Sequence, residues 1–202
     1  MRLEPGAGPS LPSNSIAAVP RIPYRDPESA PEPIREVIAE TPLALLRIVA
    51  HADTAFEPWL RYSNTLLRRL ELDPLVRELA ILQVARLSGS EYEWTQHVPI
   101  AQSFGASEET IAAIEAGRDD EPVLAPHDAA ILSFTREVVV DGAAGEEAVA
   151  AMRGQLGDRG LVELLLVIGN YLGLARLIAT VGLEPHEPVV RLPGGTDALG
   201  PS

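Results

Sequence analysis

Apolar residues in the middle of the chain return at the spacing of a helix that buries one face. In AFEPWLRYSNTLLRRL, residues 55–70, Phe56, Leu60, Leu67 and Leu70 keep near that spacing, and the basic residues gather at the C-terminal end, where the helix dipole favours them. Start and stop signals bracket the other periodic stretches. Thr41-Pro42 and Asp73-Pro74 each set a side-chain oxygen before a proline at the first helical position and predict helices over about 42–51 and 74–87. Gly105 ends one helix, Ser107 caps EETIAAIEAG, and Gly117 stops it. Residues 128–140 run to Asp141-Gly142, 146–156 to Gly157, and 161–181 to Gly182. No period-two strand or hairpin turn intervenes, so the expectation is an all-α domain of about seven or eight helices whose core comes from helix packed on helix.

The ends differ from the middle. Pro5, Pro9, Pro12, Pro20, Pro23 and Pro27, with Gly and Ser between them, exclude a helix over residues 1–30 and predict a flexible or surface-draped arm. A helical domain is expected over 31–184 and a second Pro/Gly-rich tail over 185–202.

Composition narrows the function classes. With 202 residues, 46% of them hydrophobic, the chain suits one domain with a real core. A formal net charge of -13 opposes phosphate backbones and anionic lipid, so neither nucleic acid nor membrane is an expected partner. The longest apolar run, LLLVIG at 164–169, is too short to span a bilayer, and the N-terminus lacks a secretory apolar core. Cysteine is absent, which removes disulfides, thiolate zinc sites and thiol redox cycling and agrees with a cytoplasmic location.

Candidate chemistry concentrates in SGSEYEWTQH, residues 88–97. Ser88-Gly89 breaks the helix that begins at Pro74, and helix then resumes, which predicts an αα-hairpin. Glu78 lies about 15 Å before the bend and His97 about 12 Å after it, nearly level, so the two are placed to meet. Ser90, Glu93 and His97 share one face of the second helix. Two capping registers are open, SGSE from Ser88 and SEYE from Ser90; the first is favoured because it sets Gly89 just inside the cap. Two carboxylates beside one imidazole form a set that burial or crowding brings toward neutrality, with one carboxyl held protonated as an acid beside a base. Tyr92, Trp94 and Tyr171 are expected as wall or core. Glu93, His97 and Glu78 could also ligate a metal, but a single local imidazole disfavours it. His127 and His186 are read as solvent or cap residues, and His51 as the one other histidine of interest.

RELAILQVARLSGSEYEWTQH, residues 77–97, resembles the carboxymuconolactone decarboxylase family of the alkylhydroperoxidase D-like superfamily. In its thiol branch a Glu precedes Cys-x-x-Cys and a His at this spacing. Glu78 matches the Glu, Ser90 and Glu93 stand at the two cysteine positions, and His97 matches the His. Decarboxylase-type members carry Glu followed by Glu and His without the cysteine pair, so the chain is closer to that branch. The likeness is strong over 74–117 and extends more weakly to LALLRIVAH at 43–51 and to the later helices. It implies an alkylhydroperoxidase D-like fold, a homo-oligomer (dimer, trimer or hexamer) and a site near a helix interface.

The function expected is cofactor-independent acid–base chemistry on a small carbonyl or lactone acid, by decarboxylation or related isomerisation. Glu78 would orient the imidazole, His97 stabilise an enolate or deliver a proton, Glu93 shuttle protons, and Ser90 donate a hydrogen bond. A substrate carboxylate calls for a cation, with Arg47, Arg86 and His51 as candidates. The alternative is a thiol-less relative that binds a ligand or partner without turnover.

Overall fold

A computed structural model describes residues 20–41, 43–119 and 121–185. Among the described residues eight α-helices follow in order: α1 (Glu32–Glu40), α2 (Ala44–Val49), α3 (Asp53–Arg68), α4 (Pro74–Ser88), α5 (Glu91–Ser103), α6 (Glu108–Ala116), α7 (Pro126–Arg136) and α8 (Glu146–Val181), with a 3-10 turn at Pro27–Ser29 before α1 and a π turn at Glu137–Asp141 after α7. Among the described residues there is no strand, as the helical periodicity predicts. Gly157, at φ 69° and ψ 177°, breaks α8 where the sequence places a stop between two helices.

α4 is the centre of the bundle. Every residue from Val76 to Ala85 is buried, because α5, α7 and α8 pack around it. A helix buried on all sides shows no polar stripe, and PLVRELAILQVARLS shows none. Leu79, Ile81, Leu82, Ile131, Leu132, Leu164 and Ile168 form the main core. Gln83, a polar residue caught on α4, donates from Nε2 to Asp119 Oδ2 at 2.9 Å and to the Leu132 carbonyl at 3.2 Å, while its Oε1 is left without a partner among the described residues.

α1, α2 and α3 close a second cluster around Ile34, Ile38, Leu46, Phe56 and Leu60. A third joins α2, α5 and α8 through Ile48, Tyr92, Leu174 and Ile178. The segment from Pro20 lies along these helices, with Arg21 N donating to Val181 O at 2.7 Å and Arg25 N to Arg47 O at 3.0 Å. The rest of the N-terminal arm and the tail beyond Glu184-Pro185 lie outside the described residues, as does His186.

Three local expectations are corrected. Helix is excluded over residues 1–30 by the proline pattern, yet Pro27–Ser29 form a 3-10 turn capped by Asp26; α1, which no signal marked, follows it with Pro31 as N-cap and Pro33 in its first turn, where a missing N–H costs nothing. Thr41 ends α1 instead of capping α2, whose N-cap is Leu43 without a side-chain bond. Gly89, at φ 64°, is the left-handed C-cap of α4, which makes Ser90 the N-cap residue of α5 without a side-chain bond, so neither the capping box that begins at Ser88 nor the one that begins at Ser90 is formed. α8 is also, by length and composition, apolar enough to cross a membrane, but Leu164, Val167, Ile168 and Tyr171 turn one side of it into the core.

Asp73 caps α4 as the Asp-Pro signal predicts, accepting from Leu75 N at 2.8 Å and Val76 N at 3.3 Å. Asp73→Ala is expected to lower unfolding free energy by about 1 kcal/mol in a urea titration.

Candidate functional site

The hairpin between α4 and α5 is closed by Gly89 N on Arg86 O at 3.1 Å and Ser90 N on Ala85 O at 2.8 Å. This short reversal brings the two helices back antiparallel and level, and Glu78 meets His97: Oε2 lies 2.7 Å from Nδ1. Arg77 Nε donates to the other oxygen, Oε1, at 2.9 Å. Glu78 is fully buried, with 0% of its surface exposed. Burial alone would raise its pKa, yet the charges and hydrogen bonds of His97 and Arg77 together outweigh that and hold the carboxyl below its usual range. An ionised carboxylate only accepts, so Nδ1 of His97 carries the proton in this bond, and Nε2 is the nitrogen left to act on a guest.

His97 lines a hollow of about 740 Å³, open mouth included, between α2, α3, α5 and α8. Leu43, Leu45, Leu46, Leu60, Ile100 and Leu174 make most of its wall, with Trp59, Tyr92 and Tyr171. The Tyr171 ring stands edge-on to the imidazole, with centroids 4.9 Å apart at 90°. Burial, and then the Glu78 and Glu93 charges, push the Tyr171 hydroxyl well above its ordinary value. Tyr92 is pushed up mainly by burial, and its hydroxyl oxygen accepts from Leu45 N at 3.4 Å. Both tyrosines are wall residues, as the sequence suggests.

Glu93 faces the same hollow from α5 in a different setting. It is buried, and neither carboxyl oxygen has a hydrogen-bond partner among the described residues. Burial pushes it up to about 8; the Ser90 hydroxyl nearby opposes that weakly and does not reach hydrogen-bonding geometry. Burial thus favours the protonated form of Glu93 beside a Glu78 that its partners keep ionised. The cause is loss of hydration, and not repulsion between the two carboxyls.

The supporting residues separate. Ser90 does not line the hollow; it borders a different groove with Gly89, Glu91, Trp94 and Glu115, because it is the first residue after the bend. Arg47 donates from Nε to Arg25 O at 3.1 Å and covers the Tyr24 ring. His51 bonds Pro23 O through Nε2 at 2.8 Å, and Arg86 Nε reaches Glu115 O at 3.4 Å. None of these three lines the hollow, so the cation expected for a substrate carboxylate does not come from them. Among the described residues no group of three or more acidic or histidine side chains is arranged to hold a metal.

Sequence reasoning missed Arg77, a basic residue beside Glu78 within the largely apolar first half of α4. It also missed Trp59, Ser63, Asn64, Gln96 and Asn170 along the hollow, and no spacing rule marks them.

Residues 53–120 match the carboxymuconolactone decarboxylase family. A solved structure described as an alkylhydroperoxidase AhpD core, an uncharacterized peroxidase-related protein from Ralstonia eutropha JMP134, superposes with a TM-score of 0.71 at 17% identity, covering 84% of this chain and 93% of that one. Protein ATU0492 from Agrobacterium tumefaciens, of unknown function and described as a putative antioxidant defence protein AhpD, gives 0.61 at 19% identity over 69% and 95%. No curated protein matches by sequence. The expected alkylhydroperoxidase D-like fold is therefore observed, in a chain without cysteine.

Because Glu93 is raised in the folded chain, it binds its proton there more tightly than when unfolded. Stability is fullest below the unfolded carboxyl range and declines as pH climbs toward about 8. Glu93→Gln is expected to raise Tm at pH 8.5 by several degrees over the native chain and to converge with it near pH 4.5, read by thermal melts across pH.

Proposed function

We propose that this chain, a cysteine-less relative of the carboxymuconolactone decarboxylase family on the alkylhydroperoxidase D-like fold, is a cofactor-independent acid–base enzyme acting on a small carbonyl compound or lactone. The observation that carries this is the opposite treatment of two carboxyls around one imidazole: Glu78 ionised on Nδ1, Glu93 kept protonated in the same apolar hollow.

In this reading Nε2 of His97 removes a proton from the carbon next to the carbonyl. The imidazolium that forms is held by Glu78, and Arg77 keeps that carboxylate in place. Charge moving onto the carbonyl oxygen is met by the Glu93 acid, which donates as the enolate develops. Returning the proton to another carbon isomerises the substrate. Decarboxylation would run through the same enol, with loss of carbon dioxide in place of proton removal, but among the described residues no arginine or lysine lines the hollow to hold the departing carboxylate. Isomerisation or enolisation of a carbonyl or lactone is therefore the better-supported reaction. Thiol peroxidase chemistry does not fit, because serine and glutamate cannot pass through sulfenate and disulfide.

The test is exchange of α-protons for deuterium, followed by NMR, in a panel of small ketones and lactones in D₂O. The native chain is expected to speed exchange of at least one of them, with activity falling as pH passes about 8 and Glu93 ionises. His97→Ala and Glu93→Ala should each reduce the rate by about 10²–10⁴-fold with the fold intact by circular dichroism. Exchange that survives His97→Ala would defeat the proposal. A binding protein without turnover would raise its Tm with ligand and exchange nothing.

A further inference from the structure

Glu93 is unusual among the buried polar groups of this fold. Its side chain is 3% exposed and neither oxygen finds a partner, which lowers stability unless a molecule entering the hollow completes it. Ser63 Oγ, on the α3 side of the same hollow, is also buried and unpartnered. The rest of the wall is largely leucine and aromatic surface, with a few side-chain amides, the usual make-up of a site for a mostly apolar guest.

Charge argues for the same kind of guest. Among the described residues His97 is the one basic side chain lining the hollow, and its ring is already tied to Glu78, which also takes the Arg77 guanidinium. An anion placed here would shed its hydration with no uncommitted cation among the described lining residues to meet it. The formal net charge of -13 opposes its approach as well.

We propose that the hollow selects uncharged, mostly apolar molecules carrying a carbonyl oxygen, which accepts a hydrogen bond from the Glu93 carboxyl, and that it rejects the matching carboxylates. The inference names the ligand class of the site proposed above and rests on that reading for the proton that Glu93 holds. It makes Glu93 a recognition group as well as an acid. The groups around Glu93 that could confuse a pH dependence are His97 and Tyr92 on its own helix, Glu78 and Arg77 from α4, and Tyr171 from α8.

Trp59 lines the hollow and Trp94 does not, so Trp94→Phe leaves one indole that reports binding by fluorescence. Acetophenone, benzoate and ethylbenzene are three probes of similar size: a neutral carbonyl, an anion, and an apolar molecule without an acceptor. At pH 6 acetophenone is expected to quench saturably, at least tenfold more tightly than either other probe. Raising the pH to 9.5 should weaken acetophenone at least tenfold, and Glu93→Gln, which keeps an N–H donor, should abolish most of that pH dependence. Equal or tighter binding of benzoate overturns the proposal, as does ethylbenzene binding as well as the ketone, no saturable ketone binding, or a pH dependence that Glu93→Gln leaves in place. Repeating the titration in His97→Ala separates the two readings. Ketone binding that persists there while deuterium exchange is lost supports both, whereas failed binding beside intact exchange in the native chain sinks only the ligand class.

Discussion

The bond between Glu78 and His97 ties the two halves of the α4–α5 hairpin together at 2.7 Å, and the site is organised around it. It exists because α4 runs through the middle of the bundle and carries a charged residue where the helix is closed on every side. A buried carboxylate without partners would cost several kcal/mol. Here His97 and Arg77 occupy its two oxygens, so the charge is kept and the imidazole is fixed in one tautomer. The turn that permits this is short, with Gly89 at φ 64° ending α4 and Ser90 starting α5 at once. A longer connection would shift His97 along α5 and away from Glu78.

Glu93 is the counterpart. It sits one helical turn before His97 and shares the hollow, yet among the described residues no donor or cation reaches its oxygens in hydrogen-bonding geometry. Two residues of one type thus take opposite protonation states from environment alone, the arrangement by which a single site carries an acid and a base at neutral pH. Both depart from what stability would favour, and departures of that kind gather at functional sites.

Much of the fold was legible because helix signals are local. Asp73-Pro74, Ser107, Gly117, Gly157 and Gly182 mark boundaries through single-residue conformational preferences, and the structure uses each of them. Level placement of Glu78 and His97 followed from helix rise, since their distances from the bend nearly match. Other features depend on facts that a linear reading does not hold. α1 was marked by no signal, and its prolines fall at the N-cap and in the first turn, where a helix accepts them. Ser90 shares a helical face with Glu93 in projection, but as the N-cap it sits at the bend and borders another groove. Arg77 has no spacing signal of its own; its role follows only from α4 being buried all round, where it and Glu78 must find partners. The hollow's neutrality is a property of residues from four helices, and no segment of sequence displays it.

The account stands on Glu78 and Glu93 holding different charges at neutral pH. Carbon-13 NMR of the glutamate carboxyls across pH, with Glu78→Gln and Glu93→Gln to assign the two signals, measures this directly. The expected result is a Glu93 carboxyl that titrates near 8 and a Glu78 carboxyl that stays ionised below the ordinary range. Two carboxyls titrating together in the ordinary range would contradict the account.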